Sequence, residues 1–342
     1  MKNSFIISIC LMFIYVTSNA NFWTQRASFP GLQAHGGFSF SIADKGYIGC
    51  GYQYDDMNVA YKHFWMYDPV INSWSQKADF AGDERYFATG MAINGKGYAG
   101  LGSNQVVSAF NDWYEYNPVS NVWVQKSSCP QVAIEAAAAT NDFGYVISST
   151  GAMFQYNPIS DTWQTRASFP LSLQNIKAFS VGNYLYAVIG FDNQANTFNN
   201  SFYVYDQINN SWQQKASFPG IGRYTGVCFS IGQKGYFGLG LGTQWPLYYT
   251  DFWQYNPAID HWGQATSYPG VPRDAFFSFA TSVHGYAGIG AEMLTSNPIY
   301  FNDFWEYTPG PLVNVEEQTA PIPSLKINPN IVSSICNIIL WN

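Results

Sequence analysis

Five times in this chain a tyrosine is followed seven positions later by a tryptophan: Tyr67–Trp74, Tyr116–Trp123, Tyr156–Trp163, Tyr205–Trp212 and Tyr255–Trp262. Two unpaired members remain, Trp23 near the start and Tyr307 near the end. Each is the half the other lacks, so the chain carries six copies of one unit, with one copy divided between its ends. A closed ring of β-sheets needs that division, because the first strand then completes the last sheet and no edge is left open.

The unit reads as four short strands repeated roughly every 40–50 residues, the spacing of a propeller blade. An aromatic-glycine strand recurs as Gly46-Tyr47, Gly97-Tyr98, Gly144-Tyr145, Leu185-Tyr186, Gly235-Tyr236 and Gly285-Tyr286. After a loop of variable length comes a strand ending in Tyr-Asp/Asn-Pro or a close variant, as at 64–69, 112–118 and 251–257. Proline fixes its own φ and Asn/Asp tolerate the left-handed region, so this is turn chemistry. The repeat tryptophan opens the fourth strand, and an apolar residue follows six positions on: Phe29, Phe80, Cys129, Phe169, Phe218 and Tyr268.

These motifs resemble the kelch repeat over roughly residues 22–309. The resemblance implies an all-β, six-bladed kelch-type β-propeller with four antiparallel strands per blade, the last blade closed by the N-terminal strand. Two departures stand out. The usual glycine doublet is here Gly-x-Gly, as in Gly100-Leu101-Gly102, and unit three has Val146-Ile147-Ser148 instead. Small residues there suit blades that approach closely around a channel. Propellers host many unrelated activities, so the fold does not name a function.

Composition narrows the partners. Charged residues are 11% and aromatics 18%, so blade packing must rest on aromatic faces. Fifteen Lys+Arg against 22 Asp+Glu give a formal charge of −7, which argues against nucleic acid and against an anionic membrane surface. Residues 1–20 read as a secretory signal peptide, with Lys2, an apolar run from Phe5 to Val16, and Ser18-Asn19-Ala20 before the cleavage point. No stretch reads as a membrane span. Cys50, Cys129, Cys228 and Cys336 are scattered in a way that fits neither a disulfide framework nor a zinc site, and they read as buried thiols. Residues 21–309 form the propeller, 310–324 a linker, and 325–342 a tail whose Ile327-Asn328-Pro329-Asn330 resembles the start of the sorting domain of Bacteroidetes type IX secretion. That resemblance implies a secreted or outer-surface protein. No cofactor is called for, and a monomer is expected.

The chemistry should lie on the face where the loops joining strands two and three emerge beside those joining strand four to the next blade. Counted from tyrosine to tyrosine, the two-to-three connection spans 20, 18, 11, 19, 19 and 21 residues in units one to six. Unit three, with only Ser148–Ala152 to turn the corner, should leave a notch in an otherwise walled cup. Tyr54, Trp245 and Tyr300 are expected as stacking surfaces for a glycan or protein ligand. Arg85, Arg223 and Arg273 each lie twelve residues before the glycine of the Gly-Tyr strand. They read either as ties between blades or as donors to an acidic ligand, since a guanidinium can grip a carboxylate in a bidentate fork.

A secreted binding propeller is the main reading. The alternative is a sugar mutarotase or epimerase of the sialic-acid type, resembling the six-bladed kelch mutarotases. Glu84, Glu135, Asp274 and Glu292 are then the candidate acid-base groups. A galactose-oxidase-like copper site is disfavoured by the placement of the four histidines, and a sialidase by the absence of S-x-D-x-G-x-T-W turns.

Overall fold

The computed structural model describes residues 21–53, 59–132, 134–243, 247–293 and 298–310. The expected leader, Tyr54, Trp245 and the tail from residue 311 lie outside the described residues. Residues 21–310 form six four-stranded antiparallel sheets, and among the described residues there is no helix. Five sheets follow chain order. The sixth runs Phe22–Arg26, Phe304–Thr308, Gly285–Gly288, Phe277–Ala280, so the N-terminal strand is the outer strand of the last blade. Trp23 sits opposite Tyr307, the pairing that the divided repeat demands.

The first strand of each blade touches the first strands of both neighbours, and these contacts close into a ring. Its sequence explains why. Along Phe38–Ile42 the residues Phe38, Phe40 and Ile42 are buried while Ser39 and Ser41 are half-buried, the period-two pattern of a strand with two unlike faces. In register with Ser39 stand Gly90, Ala137, Ala178, Cys228 and Ser278. All six line one central cavity. Their small side chains keep the axis of the ring open.

The large residues on the other face set the spacing of the blades. Phe40 lies so close to Gly97 of the next blade that a Cβ there would come within 2.3 Å of its ring. Phe179 over Gly235, Phe229 over Gly285 and Phe279 over Gly46 repeat the contact at 2.1, 2.2 and 1.8 Å, and Met91 fills it over Gly144. The glycine of the Gly-Tyr strand is therefore needed for the close approach of a large side chain from the neighbouring blade. Unit four breaks the pattern with Leu185, and the residue in register on the preceding blade is Ala138. Both belong to one buried cluster, so the leucine fills the volume that the missing aromatic leaves. Ala138→Phe is expected to cost roughly 1–3 kcal/mol by overpacking. Ala138→Phe with Leu185→Gly should recover most of that loss in a urea melt, whereas purely additive effects would mean that the two side chains do not share the space.

A second set of bonds links blades at their rims. Asn72 Oδ1 accepts from Tyr67 Oη of its own blade at 2.7 Å and from the Ala27 N–H of the preceding crossover at 2.9 Å. The Trp74 indole N–H donates back to the Ala27 carbonyl at 2.9 Å. The same trio recurs at Asn121, Asp161, Asn210 and Asp260 with their tryptophans. These five Asn/Asp residues have φ between 48° and 54°, the left-handed conformation that the turn chemistry predicted.

Candidate functional site

Arg85, Arg223 and Arg273 are fully buried. Arg85 donates from Nη1 and Nη2 to the two carboxylate oxygens of Asp112, at 2.5 and 2.8 Å. It also donates to the Asp83 carbonyl at 2.9 Å and the Leu101 carbonyl at 3.0 Å. Arg223 repeats this with Asp251, Ile221 and Leu239, and Arg273 with Asp303, Val271 and Ile289. Loop aromatics cap the guanidinium groups: Phe110 at 4.0 Å from Arg85, Tyr249 at 4.6 Å from Arg223 and Phe301 at 3.7 Å from Arg273.

This arrangement corrects the expectation of an arginine ring facing an acidic ligand. The forks are occupied by aspartates of the same chain, and ring faces close over them. Each arginine fastens the crossover entering a blade to that blade's own two-to-three loop. Leu101, Leu239 and Ile289, whose carbonyls the arginines hold, are buried at φ of 60°, 56° and 56°. Such a conformation costs a β-branched or bulky residue on the order of 1–2 kcal/mol. The arginine bonds and burial of the side chain offset that strain.

The crossovers and loops meet in isolated two-residue bridges: His35 with Tyr52, Tyr86 with Ser103, Gln174 with Phe191, Tyr224 with Leu241 and Asp274 with Ala291. They form a crown on blades one, two, four, five and six. Blade three has no such bridge among the described residues, because Ser149–Ala152 turns directly back into its third strand. The expected notch is there. After each bridge the next residue is left-handed (Gly36, Phe87, Asn175, Thr225, Ala275), and all five line the central cavity. The cavity volume is ≈630 Å³, within the usual range of small-molecule sites.

The charged side chains of the cavity wall, Glu135 and Lys177, stand on blades three and four, beside the exposed Phe87 of blade two. Glu135 lies on a β-bulge, where Ile134 pairs with Ser148 and Ala136 with Ile147, leaving Glu135 without a partner across the strand. Bulges re-aim side chains, and this one adds a carboxylate to a wall otherwise built of small residues. Burial pushes the Glu135 carboxyl above the ordinary range, against the N–H of Asn175 at 2.8 Å and the charge of Lys177. Lys177 is the one cationic side chain on the cavity wall among the described residues. Phe87 is 58% exposed at φ 54°, an aromatic held at the rim in a conformation that bulky residues rarely adopt.

The remaining candidates scatter. Glu84 is exposed beside a separate outer depression with Lys62 and Asp79. Glu292 pairs with Ile299 in a two-residue hairpin of blade six. Tyr300, in the same hairpin, stacks on the buried His35 at 5.8 Å. Burial drops the His35 imidazole to about 4, so it is neutral near pH 7. Asp274 is buried in the crown and, among the described residues, its Oδ1 has no hydrogen-bond partner. Burial raises its carboxyl from 3.8 to about 6. A raised carboxyl costs nothing below its unfolded value and its full penalty above the folded one. Asp274→Asn is therefore expected to gain on the order of 2 kcal/mol over the unmodified chain between pH 4 and pH 7. Parallel stability-against-pH curves for the two proteins would contradict this.

Residues 175–219 match the Kelch motif. That span covers one whole blade, the fourth, from Asn175 at the cavity rim to Pro219, four residues past its last strand. Among solved structures, "Structure of YjhT" is similar with a TM-score of 0.65 over 81% of this chain and 96% of that one, at 16% identity. At that identity the likeness speaks for the propeller fold alone. No curated protein sequence matches the chain. Within the kelch-type ring, the sequence reading named Glu135 but passed over Phe87, Asn175 and Lys177. Their signal was available: aligned on the bridge residue, only unit two puts an aromatic next, and only unit four puts a lysine at the head of its first strand. No helix among the described residues is long and apolar enough to cross a membrane.

Proposed function

We propose that this protein is a glycan-binding kelch propeller whose site is the rim of the central cavity on blades two to four. One observation carries the reading: an exposed, strained aromatic, a bulge-borne carboxylate and a lone ammonium line the same cavity on three consecutive blades. Sugars present C–H faces that stack on an aromatic ring and hydroxyls that both donate and accept. Phe87 supplies the ring, Glu135 the acceptor, and Lys177 the donor. With the three arginines engaged inside the loop layer, the earlier reason to favour an acidic ligand falls away. The reading takes the chain as an exported protein, on the strength of its leader-like residues 1–20.

Titration calorimetry with neutral mono- and oligosaccharides on the full chain tests this. Lys177→Met or Glu135→Gln should weaken binding by about ten- to a hundredfold, the worth of a hydrogen bond to a charged group. Phe87→Gly separates ligand contact from scaffold. Glycine relieves the left-handed strain, so the melting temperature should hold or rise while affinity falls about three- to tenfold. Variants that bind as the parent does would refute the site.

Anomer interconversion is a second reading, favoured by the burial that keeps Glu135 protonated to higher pH. A carboxyl that retains its proton can pass it to the sugar ring oxygen as the bond from that oxygen to the anomeric carbon breaks and water takes the anomeric hydroxyl proton, giving the open-chain carbonyl; reclosure on the other face returns both protons. Magnetization-transfer NMR would show exchange faster than the buffer rate, abolished in Glu135→Gln. Exchange at the buffer rate leaves binding alone.

A further inference from the structure

We infer that the ligand is the end of a neutral, extended oligosaccharide whose following units leave the cavity through the notch over blade three and lie along blade four. This deepens the proposal above and rests on it. The crown rises on five blades and, among the described residues, is absent on the blade that carries Glu135. A ligand held at Glu135 and Lys177 therefore has one low side by which to leave.

What lies beyond that side is a second depression of ≈200 Å³, lined by Ser149, Ser172 and Leu173, by Gln174, and by Asp192 to Gln194. The notch floor and the blade-four hairpin form its two banks. Gln174 belongs to this groove and its chain neighbour Asn175 to the central cavity, so the two depressions flank one stretch of backbone. The floor is held in shape by its own bonds: Gly151 N–H to the Ser148 carbonyl at 2.9 Å, Phe169 N–H to the Gly151 carbonyl at 2.8 Å, and Ser172 Oγ to the Thr150 carbonyl at 3.3 Å. Asp192 is committed to its turn, accepting from the Gln194 and Ala195 N–H groups at 2.8 and 3.0 Å. Asn193 and Gln194 project as exposed amides.

The chemistry of the groove selects the chain. Amides and hydroxyls that donate and accept in equal measure suit the hydroxyls of successive sugar rings. Across cavity and groove, Glu135 and Asp192 face one cation, Lys177, on a protein of net charge −7. A run of carboxylates along the ligand would be repelled, so a neutral chain fits and a polyanion does not.

Cello-, malto- and xylo-tetraose, each paired with its monosaccharide, and tetragalacturonate as the polyanion, are titrated into the full chain. At least one neutral tetrasaccharide should bind tenfold or more tightly than its monosaccharide. N193A/Q194A should bring that ratio to within twofold while monosaccharide affinity stays unchanged. A ratio near one in the unmodified chain, or a ratio untouched in the double variant, overturns the groove and leaves the cavity site standing. Tetragalacturonate binding more tightly than every neutral tetrasaccharide overturns the neutral chain. Absence of binding by any sugar removes this inference together with the cavity site.

Discussion

A chain lacking residues 21–30 is expected to lose its cooperative melting transition and to aggregate. Those residues are the fourth strand of blade six and the crossover out of it. Trp23 packs against Phe252, Tyr268 and Tyr307 at ring separations of 5.3, 5.3 and 5.1 Å, and its indole N–H donates to the Thr266 carbonyl at 2.9 Å. Arg26 Nη2 reaches the buried Glu306 at 2.5 Å, and the Phe29 N–H donates to the Asn302 carbonyl at 2.8 Å. Asn21-Phe22-Trp23 repeats the Asn/Asp-x-Trp of the intact blades, with Asn21 Oδ1 accepting from the Gly310 N–H. Without these residues Glu306 is left buried without its arginine, and Phe304–Thr308 becomes an open edge strand beside an apolar face. The combined loss exceeds the roughly 5–15 kcal/mol that holds an ordinary domain together. Trp23→Ala alone should cost about 3–5 kcal/mol by the cavity it leaves. A deletion variant with the melting curve of the full chain would show that blade six closes without its N-terminal strand.

That closure could be read directly from residues, because one motif was divided between Trp23 and Tyr307. The notch was equally readable, since loop length is a count. The arginines were harder, and the missing clue was in view. The units with an arginine at the corner are two, five and six, and those same units place aspartate immediately before strand three: Asp112, Asp251 and Asp303. Units one, three and four have His63, Ala152 and Ser201 at the same repeat position. Arginine and aspartate vary together inside one chain, which marks a pair rather than a ring of free donors. Glu135 was named among the acid-base candidates, but its place on the cavity wall was not legible. Its access to the cavity comes from a bulge, and an extra residue in a strand shifts no motif that a repeat alignment can detect. Phe87 and Lys177 are exceptions within their repeat positions, and repeats train the eye on what recurs.

Arg223→Ala is expected to lower stability by about 3–5 kcal/mol, the usual consequence of removing one member of a buried pair. The lower end is the better guide here, because the side chain of Asp251 keeps 27% of its surface exposed and water can answer part of its charge. Three losses coincide: Asp251 loses both fork bonds, the carbonyl of left-handed Leu239 loses its donor, and Tyr249 loses the cation beneath its ring. Burial alone would raise the carboxyl of Asp251, yet the bonds and charge of Arg223, helped by the Trp253 indole, hold it below the ordinary carboxylate range. A lowered carboxyl stabilises the fold above its unfolded value and loses that contribution as pH falls through the folded one. The unmodified chain should therefore lose part of its advantage over Arg223→Ala below about pH 4. Replacing the pair together, as Arg223→Met with Asp251→Leu, should cost less than the single change, since no charge is then left uncompensated. Sugar binding separates the two readings of these arginines. Neither Arg223 nor Asp251 lines the central cavity, so a folded Arg223→Ala protein should bind within twofold of the parent. Loss of binding without loss of stability would return the arginines to the ligand.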